Sequence, residues 1–104
     1  MRENLPRQAP DLTPDTVLRR HGSPHVEQVE VDGETVVYNC EASSLHLLDA
    51  MATLVWTLLD GTTTLRETSE QLAAIFQRPA DEVLAHVRDL AGELEAVALV
   101  RRVG

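Results

Sequence analysis

The residues with chemistry to offer are four histidines, a single cysteine and seventeen carboxylates. His21 and His25 lie four apart, a spacing that puts two metal ligands on one helix face, but Gly22 and Pro24 break the stretch they occupy. Cys40 and His46 can meet across a short loop, either as part of a zinc site or as a thiol with its base, and His86 is a second candidate base. Two ligands are too few for a closed zinc site. A small residue in a turn is the simpler account of Cys40. Ser43-Ser44 has no strained elbow around it. Asp81-Glu82 and the Glu93/Glu95 pair read as solvated helix faces, the first pair favoured by the positive end of a helix. Gly33 and Gly61 are isolated turn glycines, so no phosphate-cradling loop is present. The expectation is a chain with no catalytic residue, no metal and no cofactor.

The elements that would position these groups follow from patterning. Residues 1–24 carry four of the five prolines and no sustained periodicity, and are expected to form a flexible N-terminal arm, with Thr16–Arg20 able to add a short strand. Residues 25–104 are expected to be the folded domain. Asp32-Gly33 sits between two β-prone runs, the composition of a tight hairpin turn with positive φ at both central residues. Pairing Val31 with Glu34 sets Val29 opposite Val36 and Glu27 opposite Tyr38. Val29, Val31, Val36 and Tyr38 then share a face, which is assigned to the core. After the loop Cys40–Ser43, a third strand is expected over Ser44–Leu48.

Asp49 is a good N-cap for a helix from Ala50 to about Leu59, with Met51, Leu54, Val55 and Leu58 as its stripe and Gly61 as its left-handed end. Thr64 to Glu67 matches a capping box opening a second helix to about Phe76, with Leu65, Leu72, Ile75 and Phe76 buried. Pro79, Asp81 and Glu82 suit the first turn of a third helix, which buries Val83, Val87, Leu90 and Leu94 and ends near Ala96. The tail from Val97 reads as a short extended segment packing back. The fold class is α+β and winged-helix-like: a three-stranded antiparallel sheet followed by three helices.

Charge narrows the partners. Nine arginines and no lysine against seventeen acids give a net charge of −8. That balance opposes a phosphate backbone, whose affinity comes from cations displacing counterions, and an anionic membrane surface equally. A lone cysteine fits a reducing compartment. No apolar run is long enough to cross a bilayer, and the N-terminus lacks a signal-type core, so a soluble cytoplasmic protein is expected.

Laid out in order, these features resemble the PqqD-like family from about Val26 to Val100. The resemblance rests on the strand pair around VDGETVVYN, the corner LHLLDAMATLVWTLLDG, the helix TLRETSEQLAAIF, the opening PADEV and the end LAGELEAVALV. The corner is the most specific piece. It departs from the family in carrying Asp49-Ala50 where Asn-Pro is usual, and Ala98 stands where a glycine often precedes the final Leu-Val.

The resemblance implies a non-catalytic peptide chaperone or adaptor. Such a protein binds the leader of a ribosomally made precursor peptide by strand addition to the third strand, against the last helix. It then presents the leader to a modifying enzyme, whether a radical enzyme, a cyclase or a leader peptidase. Ser44, Leu45, His46, Leu47 and Leu48 suit that role, because the strand is short and carries neither proline nor charge to guard its edge. Either Leu45 and Leu47 or His46 and Leu48 face the groove, depending on register. Leu84, Val87, Arg88 and Ala91 are expected to form the opposite wall, with Arg88 pairing an acidic leader residue. The alternatives are a winged-helix nucleic-acid binder, which the acids of the third helix oppose, and a homodimer formed through the free strand edge.

Overall fold

The computed structural model describes residues 12–103. Nine elements run in order: β1 (Val17–Arg20), β2 (Val26–Val31), β3 (Glu34–Asn39), β4 (Ser44–Leu48), α1 (Ala50–Leu58), β5 (Asp60–Thr64), α2 (Leu65–Phe76), α3 (Ala80–Ala96) and β6 (Val100–Arg102). They form an α+β fold with three helices and two antiparallel sheets, ordered β5-β1-β6 and β2-β3-β4.

The meander β2-β3-β4 has the expected register, with Val31 opposite Glu34, Val29 opposite Val36 and Glu27 opposite Tyr38. Asp32 and Gly33 both take positive φ, as the tight turn requires. The buried face is the opposite of the one assigned from patterning. Val29 and Val31 are 62% and 55% exposed and Tyr38 also faces outward, whereas Thr35, Val37 and Asn39 are buried. The buried polar groups find partners that a strand pattern does not reveal. The Thr53 hydroxyl lies 3.1 Å from the Thr35 hydroxyl and 3.2 Å from the Leu48 carbonyl oxygen. The Trp56 indole donates to Gln28 Oε1 at 2.9 Å. Bonded in this way, polar side chains can occupy an interior face.

The second sheet was only partly foreseen. β1 is its central strand, pairing Val17 with Thr64 on one side and Leu18 with Arg102 on the other. Leu12 and Leu18 are buried, so from Leu12 onward the N-terminal stretch belongs to the fold rather than to a loose arm. The rest of that expected arm lies outside the described residues. Gly61 does not end α1. The helix caps at Leu59, and Gly61, at φ 88°, lies inside β5 next to the irregular pairing with β1. A side chain there would meet that of Arg19. At the start of β5, Asp60 accepts hydrogen bonds from Thr62 and Thr63, backbone and side chain together, which hold its carboxyl down to about 2.

The helices start where their caps predict. Asp49 accepts from the Ala52 amide, and Thr64 and Glu67 form a reciprocal capping box. The burial assignments hold for Val83, Val87 and Leu94 in α3 and for Leu65 and Leu72 in α2. They fail for Leu54, Ile75 and Phe76, which are exposed; Thr68, Ser69 and Ala73 take the buried face of α2 instead. α3 ends in a paired-turn motif, with the Leu99 amide bonded to the Leu94 carbonyl and the Ala98 amide to Glu95. Ala98 stands in the left-handed region at φ 60°, the position where glycine is favoured.

Candidate functional site

β4 is an edge strand. Its inner side pairs with β3, from Thr35 opposite Leu48 to Asn39 opposite Ser44, and no described strand pairs with its outer side. Along that outer side runs a groove of about 700 Å³. Its floor and near wall are Leu45, His46, Leu47, Leu48, Asp49 and Ala52. Its far wall is the C-terminal half of α3 and the residue that caps it, formed by Leu90, Glu93, Leu94, Ala96 and Val97. An unpaired row of backbone donors and acceptors beside an apolar trough can take up an extended chain, with ladder hydrogen bonds for affinity and side-chain seats for register.

The alternation of β4 settles which residues face where. His46 and Leu48 stand opposite Val37 and Thr35, on the face packed against the helices, and Leu48 is buried. Leu45 and Leu47, 68% and 67% exposed, stand opposite Tyr38 and Val36 on the open face. A strand added to β4 would therefore send alternate side chains into the groove beside His46 and Leu48, and the others out beside Leu45 and Leu47. His46 is half-buried, and its Nε2 lies 3.0 Å from the Ser44 hydroxyl.

The five candidate residues on β4 are thus brought together at one edge. The four on α3 are not. Val87 and Ala91 are fully buried in the core, and neither Leu84 nor Arg88 lines the groove. The helix meets β4 with the turns that follow, so the wall sits later in α3 than its stripe of Val and Leu suggests. Leu90, Leu94 and Val97 continue that stripe. Which end of it faces the sheet depends on how the helix crosses, and the sequence does not encode that locally.

Asn39 was also missed. Its amide nitrogen donates to the Val97 carbonyl at 3.1 Å, and its oxygen accepts from the Glu41 and Ala42 amides at 3.0 Å each. One buried side chain therefore ties the β3–β4 turn to the end of α3 and fixes both walls of the groove at that end. An asparagine at the end of a strand, before a turn, was the available signal.

The groups considered for chemistry are placed otherwise. His25 Nδ1 lies 2.6 Å from Glu41 Oε2, both exposed, and Cys40 is exposed in the turn. Among the described residues, no three His, Cys, Asp or Glu side chains are grouped to hold a metal ion, and no helix is long and apolar enough to cross a membrane.

Comparison with known proteins fits this geometry. The family described as coenzyme PQQ synthesis protein D (PqqD) matches residues 34–100, from the start of β3 to the start of β6. Among solved structures, the chain described as TbiB1 in complex with the TbiA(beta) leader peptide is similar at a TM-score of 0.71. The identity is 22%, and the match covers 80% of this chain and 94% of that one. At that identity the likeness speaks for the fold. Comparison with curated proteins gives no match. With well over half of its length matched, the chain belongs to the PqqD family, whose members are non-catalytic, peptide-binding partner proteins.

Proposed function

We propose that this protein binds the leader segment of a ribosomally made precursor peptide as a fourth strand on β4, against the C-terminal half of α3, and presents it to a modifying enzyme or leader peptidase. The observation that carries this reading is the unpaired outer edge of β4 running along a groove with Leu90, Leu94 and Val97 in its far wall. The similarity to a structure solved in complex with a leader peptide supports a leader as the guest. A leader held by its backbone on one side leaves the segment beyond it free for an enzyme, which is what an adaptor without chemistry of its own must achieve. Such a protein works where precursors are made, so we place it in the cytoplasm.

The test is to fill the groove without touching the core. Ala96 is exposed on the helix surface and lines the groove. Ala96→Trp should leave the circular dichroism and melting unchanged while weakening binding of a fluorescent leader at least tenfold. The leader would be taken from any short precursor found encoded near the gene. Unchanged affinity would exclude this groove. Sedimentation without peptide separates the proposal from pairing of two copies through the β4 edge, since such a dimer would form in the absence of any leader.

A further inference from the structure

The groove has a charge as well as a shape. Among the described residues no arginine lines it, and its carboxylates are those of Asp49 and Glu93. Asp49 is committed to the α1 N-terminus, where its Oδ1 accepts from the Ala52 amide. Glu93 is exposed, and among the described residues its side chain has no hydrogen-bond or ion-pair partner. It stands on α3 one turn from both Leu90 and Val97, within the wall that faces β4. Several arginines elsewhere are engaged: Arg66 pairs with Asp15, Arg78 with Glu82, Arg102 with Glu95, and Arg20 covers the Trp56 ring.

We infer that the groove selects a peptide with a lysine or arginine among its inward-facing residues, the head group meeting the Glu93 carboxylate and the stem lying on Leu90. This deepens the peptide-binding reading and rests on it. The inference reverses the sign expected from Arg88, which lies away from the groove. Three properties of the site act together. A strand on β4 turns alternate side chains toward α3, so one position in its register passes the wall beside Glu93. A long basic side chain can bury its methylenes along Leu90 and Leu94 while keeping its charge at the rim. The chain's net charge of −8 also draws a cationic peptide toward it over a longer range, a steering effect that salt weakens. An acidic residue at the same position would face Glu93, with no arginine in the described lining to offset it.

The experiment is a selection of displayed random 12-residue peptides on the full chain, repeated on Glu93→Arg. Glu93 lies on an exposed helix face, so the variant should fold, which circular dichroism checks. The expected result is a set of peptides with apolar residues at alternate positions and Lys or Arg at one fixed position, all shifting the amides of Ser44–Leu48. On Glu93→Arg those peptides should lose affinity about tenfold, and its own selection should replace the basic residue with Asp or Glu. Glu93→Gln should fall between, and the difference between native chain and Glu93→Gln should shrink at high salt. Peptides that shift Ser44–Leu48 but show no basic preference, or do not distinguish Glu93→Arg, would overturn the charge assignment and leave the groove standing. Peptides that bind without moving Ser44–Leu48 would bring down the groove reading and this inference together.

Discussion

The two sheets of the molecule are made from opposite kinds of contact. β5-β1-β6 draws together the beginning, the middle and the end of the described chain, and its central strand buries Leu18 completely. β2-β3-β4 is a run of neighbours joined by short turns, packed on one face, with the other face and the β4 edge turned outward. One sheet closes the domain, and the other leaves the outer edge of β4 without a described strand partner. In the proposed binding mode, this separation would let the β4 edge gain a strand without disturbing what holds the chain together.

Four variants, one of them double, would break or sharpen that contrast. Leu18→Ala, in the closing sheet, should cost about 2–5 kcal/mol, because a fully buried leucine is lost and its cavity remains. Urea unfolding would show it, and a loss below 1 kcal/mol would mean that the sheet does not close the fold. Asn39→Ala, on the buried side of the open sheet, should cost about 1–3 kcal/mol by stranding the Val97 carbonyl and two turn amides. It should also weaken peptide binding, since it frees the groove end. Ala98→Gly should stabilise by roughly 0.5–1 kcal/mol, by relieving a left-handed alanine at the end of α3. A destabilised variant would show that Ala98 does not hold that conformation. On the open face, Leu45→Ser with Leu47→Ser should change stability by no more than about 0.5 kcal/mol per site, as exposed positions do. A large loss there would show that this face is covered.

The same contrast explains what could be read in advance. The open sheet is local, and the β2–β3 register followed from Asp32-Gly33 alone, because a two-residue turn fixes every pair behind it. The β4 register, set by the Cys40–Ser43 loop, stayed open. The closing sheet is not local. β5 is Asp-Gly-Thr-Thr-Thr, with no apolar residue to mark it, and it exists because β1 lies alongside. Face assignment failed for a different reason. Counting valines placed Val29, Val31 and Val36 inward, yet Thr35, Asn39 and Gln28 hold the inner face through bonds to Thr53, the end of α3 and Trp56. Those partners lie far along the chain. In the groove, β4 was legible as an unguarded edge. The α3 wall was not, because helix crossing decides whether Val87 or Leu94 reaches the sheet.

The central claim is that a leader peptide becomes a strand on β4, and amide chemical shifts report on it residue by residue. Titrating the isotope-labelled chain with the leader of a short precursor found near its gene should move Ser44–Leu48 and the residues from Leu90 to Val97 at the end of α3. The amides of β1 and β6 should hold still. Saturable binding that leaves Ser44–Leu48 where they were, or that moves β6 instead, would contradict the account.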